Sequence, residues 1–433
     1  MQYFRWRWPF FFLSYSCLEF IDRMKKNKVS LTEKKYLVPF VLITSLFFLW
    51  GFARAILDLL NKHFQNELHI TITQSALIQV TTYLGYFLMA IPAGIFINKF
   101  GYRRGVVFGL LLFGCGSLLF IPGAELGTFY GFLAALFIIG CGLVFLETAA
   151  NPYVTELGVR ETATSRLNLS QSLNGLGSLF ATFCVGQFLF RNDTTDGNVV
   201  VPYTILGVLV LVIAVIFSRV DLPEITHEAA KTEAENKEDS NLRSLWRHKL
   251  FVFGLFALLA YEVAEISINS YFINFVTGQN WMSDRTASVV LTCALAFFMV
   301  GRFIGSWIMR RVRAEKMLLI CGSGTVGCTL IVLLDMENLS LIALLCNYMF
   351  EAIMFPTIFS LALSGLGRLT KSASSLLMMT PIGGCGFLLM GYVADNTNLV
   401  VPFIIPLLGY MFVFLYALRL VRGYRNDIET TMK

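Results

Sequence analysis

From Tyr36 to Leu420 the chain alternates long apolar runs with short polar joints. Twelve runs stand out, near 37–60, 74–98, 104–122, 128–157, 167–190, 201–219, 249–277, 286–309, 316–334, 339–364, 373–394 and 399–421. Runs of about 20 apolar residues are long enough for a helix to cross about 30 Å of hydrocarbon. The pattern predicts an all-α integral membrane protein with twelve transmembrane helices. The one long polar connection, 221–248, is rich in Glu, Lys, Asn and Thr and reads as a flexible, partly helical linker.

The 433 residues are 56% hydrophobic and 14% charged, with a mean hydropathy of +0.67. Soluble domains carry about 25% charged residues, so a soluble enzyme or binding module does not fit. The net charge of +6 does not point to nucleic acid, because the basic residues sit in short loops. The cysteines are scattered singly, without metal-ligand spacing, and read as small buried residues. His63, His69, His227 and His248 lie in or beside loops, so a histidine metal site in the membrane is not expected. No cofactor is expected.

Residues 1–36 fit the pattern poorly. Phe4 to Phe20 is apolar but short and interrupted by Arg5 and Arg7. Met24 opens MKKNKVSLTEKKYLVPF, a basic lead-in to the first span, and the expectation is a start at Met24 with an extension before it. Lys and Arg gather on one side of the predicted membrane: Lys25 to Lys35, Lys99 to Arg104, Arg160, Arg166, the linker, Arg310 to Lys316, Arg368 and Lys371. The other side holds Lys62, Arg191 and Arg285. Both termini are therefore expected in the cytoplasm.

The chain also repeats itself. Glu147-x4-Pro152 is echoed by Glu351-x4-Pro356, an offset of 204 residues. Gly94 is echoed by Gly305 at 211, and Asp58 by Glu265 at 207. These offsets predict two six-helix halves, 37–220 and 249–422, followed by a tail at 423–433. Paired repeats around a midplane cavity are how alternating-access carriers are built.

The candidate site lies in Leu146 to Asn174, LETAANPYVTELGVRETATSRLNLSQSLN. It sets Glu147 inside an apolar run, with Asn151 one turn later and Pro152 breaking the backbone ladder. Asn168, Gln171 and Asn174 follow at i, i+3 and i+6, on one helical face. A carboxylate centred in hydrocarbon costs about 2.5 to 3.5 kcal/mol, which is accepted mainly where it faces water or a ligand. Arg54 and Asp58 lie one turn apart. They form either an intrahelical ion pair or a protonatable carboxylate tuned by its neighbour. Glu262, Glu265 and Asn269 share a face of the seventh run with Tyr261 and Tyr271 nearby, a stripe able to bond sugar hydroxyls. Glu262 has the alternative of being merely solvated near the membrane edge. Gln79 and Tyr83 are candidates to line the path. Arg302 is expected to pair with a carboxylate or cap a gate.

With these residues in view, the chain resembles the fucose–galactose–glucose:proton symporter family of the major facilitator superfamily. LETAANPYVTELG and RLNLSQSLNGLG carry most of the likeness; GRFIGSWIM, FPTIFSLALSGLG and PIGGCGF add to it. The resemblance implies the major facilitator fold, with import of a monosaccharide across a bacterial inner membrane by proton symport. It implies proton coupling at Asp58 and Glu147, and sugar contacts at Gln171, Asn174 and Glu265. It also implies a monomer with a complete pathway in one chain. The sequence departs from the family's fucose branch before Asp58, where Arg54, Ala55 and Leu57 replace asparagines. Rival readings are a carrier of an amino sugar, polyol or organic anion, an uncoupled facilitator, a sugar sensor, and a membrane-embedded enzyme. The enzyme would need a convergent nucleophile and base.

Overall fold

The computed structural model describes residues 32–158, 163–190, 199–220, 245–309, 311–364 and 376–431, with Leu366, Leu369 and Ala373. The extension before Met24, Arg160 and nearly all of the 221–248 linker lie outside the described residues, as does the side chain of Asn168.

The described chain is helical. The helices are α1 (Leu37–Leu68), α2 (Leu77–Phe100), α3 (Tyr102–Leu118), α4 (Phe129–Glu156), α5 (Ala163–Leu189) and α6 (Val200–Arg219) in the first half. The second half has α7 (Lys249–Gly278), α8 (Asp284–Ile308), α9 (Ala314–Val332), α10a (Glu337–Glu351), α10b (Met354–Leu363), α11 (Gly386–Asn396) and α12 (Ile404–Thr431). Helices are what hydrocarbon permits, since each satisfies its own backbone polar groups. Among the described residues eleven spans are long and apolar enough to cross a membrane.

The predicted span at 373–394 is the exception. Its described part is a 3-10 segment, Thr380–Cys385, leading into the short α11. The cause is the PIGGCGF sequence: Pro381 withholds an N–H and the glycines disfavour regular helix. A Cβ on Gly383 would lie 2.8 Å from the Glu262 Cβ, and one on Gly384 2.4 Å from the Tyr83 ring. Bare backbone lets this segment press against both α7 and α2. At the other end, α12 runs to Thr431, so most of the expected tail continues the helix.

Packing repeats between the halves. In the first half α1 packs on α5 and α4, α4 on α2 and α3, and α3 on α6. In the second, α7 packs on the α11 segment and α10b, α10a on α8 and α9, and α9 on α12. The halves meet through α1 with α7, α5 with α8, and α2 with the lead-in to α11. The α1–α5 contact is close because Gly51 faces the Asn174 carbonyl and Gly177 the Phe48 carbonyl, where a Cβ would stand 2.1 Å away.

The halves are tied at one end, the face where α1, α5 and α11 finish. Asn66 Nδ2 donates to Asp284 at 2.6 Å, and Lys62 Nζ lies 3.8 Å from the same carboxylate. Asp395, at the end of α11, accepts the backbone N–H groups of Ile72 (3.1 Å) and Thr73 (2.8 Å). Arg285 Nε donates to Gln187 Oε1 at 2.6 Å. Asp395 and Gln187 are 208 residues apart, so these two ties are themselves repeat mates. Among the described residues, the side-chain hydrogen bonds and ion pairs between the halves run from the level of Arg54 to this face. The structure is closed at the α1 C-terminal face.

Pro152 does not end α4, which continues to Glu156. Its repeat mate Pro356 does coincide with a break: α10 is interrupted at Ala352 and Ile353.

Candidate functional site

A stripe on α1 organises the site. Arg54, Asp58, Lys62 and Asn66 recur every fourth residue, so they line one helix face, and that face meets the second half. Arg54 Nη2 lies 3.7 Å from both Glu262 and Glu265 on α7. Its Nε donates to the Tyr83 hydroxyl on α2 at 3.2 Å. Asp58 Oδ1 accepts from Ser270 Oγ of α7 at 2.8 Å and from Gln79 Nε2 of α2 at 3.3 Å. Gln79 also donates to Ser270 at 2.7 Å.

This arrangement corrects several expectations. Arg54 is drawn away from Asp58 because two α7 carboxylates lie opposite it, and the intrahelical pair gives way to a cross-half one. Glu262 is not solvated at a membrane edge; its side chain is 3% exposed and packs between Arg54 and Gly383. The hydroxyls of Tyr261 and Tyr271 are already engaged, donating to the backbone carbonyls of Glu351 and Leu399. Arg302 Nε donates to the Ala352 carbonyl at 3.3 Å, and its guanidinium lies 5.0 Å from the Phe298 ring. The partner is a freed carbonyl rather than a carboxylate. His63 lies inside α1, fully buried, 2.8 Å from Glu67, rather than in a loop.

Glu147 sits partly exposed on α4 beside the hydroxyl of Tyr86, which accepts from the Trp50 indole. Gln171 Nε2 reaches Asn151 Oδ1 at 3.5 Å, so the two amides of the LETAANP and RLNLSQSLN motifs do meet. Asn174 turns instead to the Phe47 carbonyl at 3.3 Å and helps lock α5 to α1. Glu265 and Asn269 are partly exposed, while Gln79 and Tyr83 are buried.

Sequence reasoning missed Ser270, Tyr86 and Trp50. Gln79, Tyr83 and Tyr86 stand at i, i+4 and i+7, a polar stripe that the spacing already displays. Ser270 carried no signal, since a lone serine in an apolar run commonly bonds its own helix backbone.

The chemistry of the cluster is acceptor-rich. Gln79 Oε1 and Asn269 Oδ1 are buried without a hydrogen-bond donor, while Glu262 Oε2 faces Arg54. Buried acceptors left open ask for a donor-bearing ligand or water. By contrast, a groove of about 290 Å³ between α1, α5 and α6, lined by Phe48, Phe52, Phe180 and Ile205 among others, carries no side-chain nitrogen or oxygen. It suits hydrocarbon.

Comparison with known proteins agrees with this architecture. The chain is 34% identical over 397 residues to a glucose/galactose transporter of Brucella abortus, covering 89% of this chain and 95% of that protein. It is 34% identical over 410 residues to an L-fucose-proton symporter of Escherichia coli, covering 89% and 93%. Among solved structures, the major facilitator transporter FucP in an outward conformation matches with a TM-score of 0.66 at 33% identity, over 89% of this chain and 99% of that one. The xylose transporter XylE, at 13% identity over 88% and 98% of the two chains, shares the fold with a TM-score of 0.69. With the Major Facilitator Superfamily pattern matching residues 43–387, the chain belongs to that superfamily.

Proposed function

We propose that the protein is a secondary active transporter that imports a neutral hexose or deoxyhexose, such as glucose, galactose or fucose, by proton symport. The observation that carries this reading is the polar cluster between the halves, with two buried amide oxygens, of Gln79 and Asn269, open to hydroxyl donors beside two partly exposed carboxylates, Asp58 and Glu147. A sugar presents many hydroxyl donors and no charge. Glu147, Asn151, Gln171, Glu265 and Asn269 are the groups we assign to it. Asn174 serves by holding α5 against α1, and Gln79 and Tyr83 by closing the site toward α7.

In this reading the coupling proton binds Asp58 or Glu147 from outside and is released inside. Neutralising a carboxylate lowers the cost of carrying it past an apolar barrier. The closed α1 C-terminal face is then exofacial, in keeping with the scarcity of Lys and Arg there, and both termini are cytoplasmic. The chain works as a monomer in the bacterial inner membrane. An anion carrier is disfavoured by the engagement of Arg54 with Glu262 and Glu265, which leaves that cation occupied.

The test is uptake of labelled glucose, galactose, fucose and N-acetylglucosamine into proteoliposomes, with and without an inward proton gradient. Gradient-driven accumulation of one sugar is expected, with Glu147→Gln abolishing accumulation. Downhill flux indifferent to the gradient would remove the coupling claim. No flux of any of the four would remove the sugar.

A further inference from the structure

Asp58 is capped by protein groups in this conformation. Its Oδ1 accepts from Ser270 of the opposite half at 2.8 Å, and Gln79 bonds both partners, at 3.3 Å to Asp58 and 2.7 Å to Ser270. Ser270 and Gln79 are each 1% exposed, whereas Asp58 keeps partial exposure. The three groups form a closed triad that needs α1, α2 and α7 together. One and two turns further along α1, Lys62 and Asn66 engage Asp284 of α8, and one turn before it Arg54 faces Glu262 and Glu265, so the triad is one rung of the closed face. The titratable groups that face Asp58 are Arg54 on its own helix, Tyr83 on α2, Glu265 on α7 and Tyr348 on α10a. Among the described residues, none of these donates a hydrogen bond to it.

We propose that Ser270 is a positioning residue that caps Asp58, covering its Oδ1 whenever the halves are closed at the α1 C-terminal face. Because Ser270 belongs to the other half, the cap leaves as the halves part at that face and returns as they close. A proton from the exofacial water then adds to the uncovered carboxylate. After closure it departs to water on the opposite side, and no other group changes charge. A cap on the same half as Asp58 would move with it and gate nothing. The consequence for transport rests on the proton-symport reading above; the cap itself rests on geometry.

Two measurements separate them. The first is the rate at which a hydrophobic carbodiimide modifies Asp58, read by mass spectrometry on purified protein, with Asp58→Asn as the blank. Ser270→Ala is expected to raise that rate about fivefold, the factor that one net hydrogen bond is worth, and Ser270→Thr to restore it. The second is gradient-driven accumulation set beside sugar counterflow. Ser270→Ala is expected to reduce accumulation severalfold while counterflow stays within about twofold of wild type, with Ser270→Thr again restoring it. Equal modification of Asp58 in wild type and Ser270→Ala overturns the cap, whatever the transport shows. Parallel loss of accumulation and counterflow in both variants also overturns it, as the mark of a packing role. If modification changes as expected but wild type shows no gradient dependence, the cap stands and the symport reading falls.

Discussion

Glu147 and Glu351 occupy matching places in the two halves, each five residues before a proline, yet they live in different surroundings. Glu351 is fully buried. Its Oε2 accepts from Asn347 Nδ2 at 3.0 Å and from the Tyr410 hydroxyl of α12. Glu147 is partly exposed, beside Tyr86. One turn before Glu351 stands Asn347, an amide on the same face; one turn before Glu147 stands Leu143, buried in the core. A repeated carboxylate thus becomes an internal strut in one half and an accessible group in the other. The neighbours, not the motif, decide.

The sharpest way to break the comparison is to neutralise each carboxylate in turn. Glu147→Gln is expected to abolish gradient-driven sugar accumulation. Glu351→Gln keeps an oxygen for Asn347 or Tyr410 and is expected to retain accumulation within a few fold. Equal loss in both would mean that the second half also carries an essential proton site.

A second contrast lies in stability. Glu351→Leu strips the buried Tyr410 hydroxyl of its acceptor and takes one of two acceptors from Asn347, at about 1–3 kcal/mol for a buried donor left unsatisfied. A clear drop in the unfolding midpoint in detergent is expected, because the Tyr410 hydroxyl is fully buried. Glu147→Leu removes a group that has no such cage and is expected to leave the midpoint nearly unchanged. A similar drop in both variants would erase the distinction between strut and accessible group.

Much of this contrast was legible in the chain, though not all. Twelve apolar runs, two halves and the pairing of Glu147 with Glu351 follow from hydropathy and spacing, because a membrane leaves helices few alternatives. The α1 stripe Arg54–Asp58–Lys62–Asn66 was equally visible as a four-residue period. What spacing cannot convey is which element lies opposite. Arg54 and Asp58 are neighbours along α1, so local reasoning pairs them, whereas the fold offers Arg54 two carboxylates of α7 and offers Asp58 a serine from the same helix. The short 3-10 segment at Thr380–Cys385 was missed for a similar reason. Hydropathy counts PIGGCGF as apolar, but a proline and three glycines weaken a helix whatever their hydropathy.

The smallest expected effect concerns the prolines that follow the two carboxylates. Pro356 cannot donate to the carbonyl of Ala352, and Arg302 Nε occupies that carbonyl at 3.3 Å. The repeat position of Arg302, at the 211-residue offset, is Ile91, which carries no donor, and α4 runs on through Pro152. If Arg302 answers the acceptor that Pro356 leaves open, the two residues are energetically coupled. In a double-mutant cycle on detergent unfolding, Arg302→Met alone is expected to cost about 1 kcal/mol for the lost hydrogen bond. The same change in a Pro356→Ala background is expected to cost less, since the backbone N–H restored by that substitution then serves the carbonyl. The coupling should fall near 0.5–1 kcal/mol, the lower range for residues that share one partner. Strict additivity would mean that Arg302 is held by Phe298 and its packing, with the proline playing no part.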